Sequence, residues 1–193
     1  MSKLKNLLIL LLLVCSMVPQ AQSKGKSKKM PENISAEKEQ LVLNGWGVRK
    51  KFYMDLFEGG LYLKERSKDA NKIIEADEPM SIRIHVISDL ITGKRLEENM
   101  RSEFDRVTNG NWGAHKANIE MIMSAFKEDI NKGDVFDLVY LPGSGLAIYK
   151  NNKEQALVKS LDFKKLLYSI WLGNDPQDAK LKKRYDRLKS DKF

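Results

Sequence analysis

The order of the periodic segments constrains the fold of this chain more than any other feature. Two segments with strand-like alternation cover residues 38–63, and a third covers residues 80–87. Two helix-like segments follow, over residues 96–107 and 119–130, and strand-like segments return over residues 135–159. Strands and helices that are grouped in blocks, rather than alternating one by one, favour an α+β fold with an antiparallel sheet.

The second strand block predicts three antiparallel strands. Val135–Leu141 and Gly145–Tyr149 flank a Pro-Gly turn, which is typical of a β-hairpin. Gln155–Lys159 follows a pair of asparagines and is predicted to add the third strand.

Further helices are predicted from capping residues and apolar spacing. Ser67 is placed to cap a short helix over Lys68–Ala76. The chain closes with two helices, Phe163–Leu172 and Asp178–Lys189, which a Gly-Asn-Asp-Pro segment separates. The whole pattern has the size of one domain, which we place at residues 37–190.

The first 22 residues have the three-part order of a secretory signal peptide. Lys3 and Lys5 are followed by the apolar run Leu7–Val14 and then by a short polar segment. The apolar run is shorter than the about 20 residues that a membrane-spanning helix needs. An ordinary buried helix and a lipoprotein signal cleaved before Cys15 are the alternatives. We therefore expect an exported protein, periplasmic or secreted, without a membrane span.

Cys15 is the only cysteine, and it lies inside the predicted signal. Residues 23–193 therefore offer no disulfide and no cysteine nucleophile or metal ligand, so an apolar core must hold the domain together. Residues 23–36 are rich in lysine and poor in apolar side chains, which predicts a flexible basic leader.

The net charge of +8 is concentrated in two clusters, at residues 24–29 and 180–189. Such clusters can attract nucleic acid or anionic lipid. An exported protein rarely meets nucleic acid, and no aromatic residue is interleaved with the first cluster. We therefore expect no nucleic-acid partner and interpret both clusters as solvated surface, while a peripheral contact with anionic lipid stays open.

The sequence contains none of the common catalytic fingerprints. It has no GxSxG segment, no P-loop and no Rossmann glycine motif. His85 and His115 are the only histidines, and they lie on different predicted elements without zinc-ligand spacing. We therefore expect no metal site and no cofactor.

Three segments together carry a resemblance to a known family. Residues 43–63 hold Gly-Trp-Gly-Val-Arg and an aromatic-rich strand that ends in Gly-Leu-Tyr-Leu. Residues 134–147 hold paired strands with a Pro-Gly-Ser-Gly turn, and residues 162–176 hold an aromatic closing helix. In this order they resemble the chalcone isomerase superfamily, in the form common among bacterial exported relatives, over about residues 41–188. The resemblance implies an open-faced β-sandwich, in which helices cover one face of an antiparallel sheet and a ligand cleft lies between the layers.

The resemblance also implies a ligand-binding arginine at Arg49. Phe57 then stands where the plant enzymes have a catalytic threonine, Leu96 where they have a tyrosine, and Glu103 where they have an asparagine. Phe57 and Leu96 cannot donate hydrogen bonds to a developing oxyanion. No residue is therefore assigned a catalytic role. The predicted ligand-binding residues are Arg49, Phe57, Tyr62, Leu96 and Glu103.

Two alternatives stay open for the residues of the predicted cleft. Arg49 is either an anchor for a ligand carboxylate or part of a structural ion pair with Glu58 or Asp55. Several apolar residues are either ligand lining or plain core. These residues are Phe52, Phe57, Met100, Met121, Met123 and Phe126.

Three functions are compatible with these residues and with the resemblance. The leading hypothesis is a non-catalytic binding protein for a small amphipathic anion, because the family includes lipid-binding branches in which an arginine holds a fatty-acid carboxylate. The second is an intramolecular lyase of the chalcone isomerase type with altered catalytic residues. The third is an interaction module of the cell envelope that binds no ligand. Enzymatic activity is left undecided, with the missing hydrogen-bond donors weighing against it.

Overall fold

The computed structural model describes residues 30–185 of the 193-residue chain. The predicted signal peptide, the first part of the predicted leader and the end of the predicted closing helix lie outside the described residues. One antiparallel sheet of seven strands forms the centre, with the strands in chain order. They are β1 (Asn33–Ala36), β2 (Glu39–Lys51), β3 (Met54–Leu63), β4 (Met80–Val86), β5 (Val135–Leu141), β6 (Gly145–Lys150) and β7 (Lys153–Val158).

The helices pack against one face of this sheet, which confirms the predicted α+β, open-faced fold. They are α1 (Ala70–Glu75), α2 (Gly93–Val107), α3 (Lys116–Ser124), α4 (Leu161–Leu172) and α5 (Ala179–Tyr185), with a single 3₁₀ turn at Gly113–His115 before α3. Within residues 30–185, no helix has both the length and the apolar character needed to cross a membrane.

Strand alternation decides which side chains the helices cover. Leu61 on β3 lies opposite Ile82 on β4, and both are fully buried in the main core beneath the helices. The adjacent pair, Tyr62 and Ser81, points to the other face of the sheet, because successive side chains of a strand alternate. A smaller apolar cluster forms there around the N-terminal segment.

Glycines in β2 and β3 let α5 lie directly on the sheet. A Cβ on Gly45 would come 2.1 Å from the backbone oxygen of Arg184, and a Cβ on Gly59 would come 2.3 Å from the hydroxyl of Tyr185. Any larger residue would therefore push the helix away from the sheet. The glycines that contributed to the family resemblance thus serve the packing of the closing helix.

The folded domain begins earlier than the boundary placed at residue 37. β1 lies inside the segment predicted to be a flexible leader and pairs with β2, with Ile34 opposite Leu41. Met30 is buried, and Tyr62 donates a hydrogen bond to the carbonyl oxygen of Pro31 at 2.9 Å. The lysine-rich composition of the segment led to the prediction of a flexible leader, although three of its apolar residues pack on the sheet: Met30, Ile34 and Ala36.

The start of one helix and the end of another differ most from the prediction. The N-cap of α1 is Asp69, whose carboxylate accepts a hydrogen bond from the backbone of Lys72, and not Ser67. α3 ends at Ser124, although Phe126 and Ile130 continue the apolar spacing. Both of these residues are buried in irregular chain, so burial without helical structure produced the misleading pattern.

Candidate functional site

An apolar cleft lies between the helix layer and the sheet. Strands β3 to β6 line it from one side, and α2, α3 and α4 line it from the other. Its wall is almost entirely apolar. The free space inside is about 30 Å³, which is room for only one or two water molecules. A larger occupant must therefore displace side chains.

A wider mouth opens from this cleft to solvent. It is formed by the β2–β3 hairpin, the segment before α2 and the first turns of α2, and its volume is about 380 Å³. Phe57, Ile91, Leu96 and Asn99 line both spaces. The two spaces are therefore adjacent, with a basic rim at the mouth and an apolar interior beyond the shared residues.

Arg49 lies in the mouth, opposite Phe57 in the β2–β3 pairing, and its side chain is 16% exposed. Its Nη1 donates a hydrogen bond to the backbone oxygen of Gln177 at 3.1 Å and lies 3.8 Å from a carboxylate oxygen of Asp178. Among residues 30–185, its Nε and Nη2 have no hydrogen-bond partner. The guanidinium thus ties the segment before α5 to the sheet and keeps two donors available.

Neither of the predicted ion-pair partners contacts Arg49. A carboxylate oxygen of Glu58 lies 2.8 Å from Nδ1 of His85, and Asp55 pairs with Lys50. Glu58 follows Phe57 on the strand and so points to the opposite face of the sheet. The actual contacts of Arg49 come from a segment 128 residues away in the chain, which local sequence spacing cannot reveal.

Two of the predicted ligand-binding residues lie outside the cleft. Tyr62 is buried on the other face of the sheet, and this burial raises the pKa of its phenol. Glu103 lies two turns further along α2 than Leu96 and accepts hydrogen bonds from Arg106 at 2.9 and 2.7 Å. Arg106 also binds Asp175, so this pair connects α2 to the segment before α5. We therefore remove Tyr62 and Glu103 from the site.

The predicted apolar lining divides into cleft and non-cleft residues. Those that line the cleft are Phe57, Met100 and Phe126. Phe52 lies at the mouth, Met121 is exposed on α3, and Met123 is buried in the core without lining the cleft. The helical spacing that suggested Met121 and Met123 could not distinguish the face of α3 that meets the cleft.

The structure adds two cleft residues that the sequence pattern did not indicate. Trp171 Nε1 and Gln177 Oε1 are buried and have no hydrogen-bond partner within residues 30–185, and both residues line the cleft. Buried polar atoms in native proteins almost always have partners. These two atoms offer one donor and one acceptor to an occupant. One indication of Trp171 was available in the sequence: it lies in the closing-helix segment, residues 162–176, that contributed to the family resemblance.

Metal chemistry has no support in the described part of the chain. No group of three or more His, Cys, Asp and Glu side chains there is placed to hold a metal ion. His85 pairs with Glu58, and the ring of His115 packs on Phe163 with 6.2 Å between centroids.

A buried charge lies elsewhere in the domain, at Lys164 on α4. Its Nζ donates hydrogen bonds to the backbone oxygens of Ile73, Ile74 and Ala76, at 3.0, 2.8 and 2.7 Å. Burial lowers the pKa of Lys164 to about 8. The three carbonyls end α1, so this ammonium holds α1 against α4 and takes no part in the cleft.

Comparison with known proteins shows which family has this architecture. The sequence profile described as chalcone isomerase-like matches residues 22–185. The chain belongs to the chalcone isomerase-like family. A solved structure of the same fold is the fatty-acid binding protein AtFAP1 of Arabidopsis thaliana, with a TM-score of 0.68 and 19% identity over 83% of this chain and 94% of that one. No curated protein matches the sequence.

This chalcone isomerase-like domain brings Arg49, Phe57 and Leu96 together at one mouth. The resemblance had assigned these three residues to a shared ligand site, although they come from β2, β3 and α2. Phe57 and Leu96 give the mouth apolar surface in place of the family's hydroxyl donors. The polar residues that line the mouth are Arg49, Lys51, Arg95 and Asn99.

Proposed function

We propose that this chalcone isomerase-like protein binds a small amphipathic anion, such as a fatty acid, and does not catalyse isomerisation. One observation carries the proposal: Arg49 stands at the mouth of an apolar cleft with two guanidinium donors unpaired among the described residues. The shared fold with a fatty-acid binding protein supports it.

The head group of such a ligand matches the chemistry of the mouth. A carboxylate can accept two parallel hydrogen bonds from Nε and Nη2 of Arg49, a geometry that a guanidinium provides and an ammonium does not. Lys51 and Arg95 also line the mouth and add positive charge. An anion is thus attracted to the mouth and then held in one orientation.

The acyl chain would extend past Phe57 and Leu96 toward Met100 and Trp171. Each methylene group that leaves water contributes about 0.8 kcal/mol. The present free space of about 30 Å³ is far below the roughly 300–1,000 Å³ of ligand pockets, so the wall must open. Met100 suits this role because methionine is flexible and adapts to irregular shapes.

An isomerase of this family would need hydroxyl donors for a developing oxyanion, and among the described residues no side chain with a hydroxyl group lines this mouth. Phe57 and Leu96 carry none, and Tyr62 lies on the other face of the sheet. Losing one preorganised donor typically lowers the rate by about 10²–10³. We therefore expect only residual turnover of chalcones.

We further propose that the protein acts outside the cytoplasm, in the periplasm or as a secreted protein, after cleavage of residues 1–22. The support is the order of lysines, apolar run and polar segment at the N-terminus.

The binding proposal is tested by titrating palmitate into the wild type, Arg49→Ala and Arg49→Lys. We expect Arg49→Ala to weaken binding about 10- to 100-fold, because a charge-assisted pair contributes roughly 1.5–3 kcal/mol. Arg49→Lys should recover part of the affinity. Binding can be followed by calorimetry or by the fluorescence of Trp171, which lines the cleft.

The control must separate binding from stability, because Arg49 also holds the segment before α5. Asp178 lies 3.8 Å from Arg49 and caps the start of α5 through the backbone of Leu181. Asp178→Ala should lower the melting temperature and retain palmitate binding. Equal affinity in wild type and Arg49→Ala, or no palmitate binding by the wild type, would contradict the proposal.

A further inference from the structure

Exposed apolar side chains are concentrated at the mouth of the cleft. The large hydrophobic residues exposed within residues 30–185 are Phe52, Tyr53, Met54, Leu90 and Met121. The first two form the turn between β2 and β3, Met54 is the first residue of β3, and Leu90 lies in the segment before α2. Phe52, Met54 and Leu90 all line the mouth. Single exposed apolar residues are ordinary on protein surfaces, but a contiguous group marks an interaction site.

The β2–β3 turn presents its aromatic residues at the cost of unfavourable turn chemistry. Two-residue hairpin turns favour glycine, asparagine and aspartate. Here the two turn positions hold Phe52, with a positive φ of 55°, and Tyr53, and these residues are 83% and 101% exposed. Bulky residues rarely adopt a positive φ. Neither side chain contributes to the core, so folding alone does not explain them.

Positive charge accompanies these apolar residues. Lys51 and Arg95 line the mouth, and neither forms an ion pair within the described residues. Lys50 also flanks the turn and pairs with Asp55. Aromatic rings beside free cations match the surface of an anionic bilayer, in which rings enter the interfacial region and each cation adds attraction to lipid phosphates.

We propose that the rim formed by Phe52, Tyr53, Met54 and Leu90 docks on an anionic lipid bilayer. Because this rim surrounds the mouth, docking places the opening against the bilayer and allows a fatty acid to pass into the cleft without crossing water. The transfer step rests on the proposed function; the docking step rests on the rim alone. The rim is distinct from the lysine clusters near the two ends of the sequence.

Vesicle sedimentation tests the docking step. The protein is used without residues 1–22, because their apolar run would itself bind lipid. We expect binding to vesicles of phosphatidylcholine with phosphatidylglycerol, and much weaker binding to phosphatidylcholine alone. Tyr53→Ser should weaken binding about tenfold or more. Phe52→Gly/Tyr53→Asn supplies the glycine favoured by a turn whose first position has a positive φ, so it should abolish binding while the melting temperature stays the same or rises.

Met121→Ser is the matched control, since Met121 is exposed at a distance from the mouth on α3. It should leave vesicle binding unchanged. Equal binding of the wild type and Phe52→Gly/Tyr53→Asn would overturn the docking proposal. It would also be overturned by equal binding to both kinds of vesicle. Self-association that Tyr53→Ser abolishes, without vesicle binding, would assign the rim to a second copy of the chain.

A second assay separates this inference from the proposed function. Transfer of a fluorescent fatty acid from vesicles to the protein should accelerate with vesicle concentration, and Tyr53→Ser should remove this dependence. Palmitate binding in solution without any vesicle binding would refute docking alone. Vesicle binding without palmitate binding would refute the proposed function alone.

Discussion

Raising the pH from 7 to 9 should stabilise this domain, because of the environment of Lys164. The side chain is fully buried, and its Nζ lies 5.4 Å from the ring centroids of both Tyr140 and Tyr168. Burial lowers its pKa from 10.5 to about 8 in the folded state. The unfolded chain keeps the ordinary value, so between these two pKa values it binds more protons than the folded chain does.

The direction and size of the effect follow from proton linkage. Stability rises with pH wherever the unfolded state binds more protons, so the gain begins near pH 8 and would continue toward pH 10.5. Between pH 7 and pH 9 it amounts to about 1 kcal/mol. Above about pH 10 the buried tyrosines oppose it, because burial raises the pKa of Tyr168 and the unfolded state releases its proton first.

Urea unfolding at a series of pH values measures this gain. Lys164→Met has a similar length and no charge, so its stability should not rise between pH 7 and pH 9. It should also lower the free energy of unfolding by about 2 kcal/mol or more, because three carbonyl oxygens at the end of α1 lose their donor.

Lys165→Met is the control, since Lys165 lies next in the chain and pairs with Glu75 near the surface. It should keep a rise in stability with pH but move that rise toward higher pH, because the neighbouring charge of Lys165 also lowers the pKa of Lys164. A wild-type stability that is flat or falls from pH 7 to pH 9 would refute the reasoning. It would mean that the three carbonyls hold Lys164 in its charged form.

Three further predictions concern the core, the sheet and the N-terminus. Tyr168 donates a hydrogen bond to a β5 carbonyl at 2.9 Å, whereas the buried hydroxyl of Tyr185 has no partner in residues 30–185. Tyr168→Phe should therefore lower the free energy of unfolding, measured by chemical unfolding, by about 1 kcal/mol, and Tyr185→Phe should lower it less or raise it. Gly45→Ala should destabilise by roughly 1–3 kcal/mol, seen as a lower melting temperature, because its Cβ would collide with the backbone of α5; an unchanged melting temperature would show that α5 packs elsewhere. N-terminal sequencing of protein from the cell envelope should find a start near Gln22 or Ser23, and an intact Met1 would argue against the signal peptide.

The local sequence pattern was sufficient to predict most of the sheet. Alternating residues from Met80 to Ile87 predicted β4, and the Pro-Gly turn after Leu141 predicted the β5–β6 hairpin. These features depend on neighbours in the chain, because side-chain alternation and turn geometry are properties of a few consecutive residues. The family resemblance added the position of Arg49 and its placement with Phe57 and Leu96.

Partners distant in the chain were decided only by the tertiary structure. Lys164 and Lys165 are adjacent and chemically identical, yet one is fully buried beneath α1 and the other pairs with Glu75 near the surface. One of the two alternatives for Arg49 was an ion pair with a carboxylate on its own hairpin, whereas Arg49 contacts the segment before α5. Burial and ion pairing depend on which elements the packed chain brings together. A one-residue step reverses the face of a side chain in a strand and rotates it by about 100° in a helix. The sequence alone therefore determined most of the elements, and the family resemblance added the position of Arg49, while packing decided what each charged side chain touches.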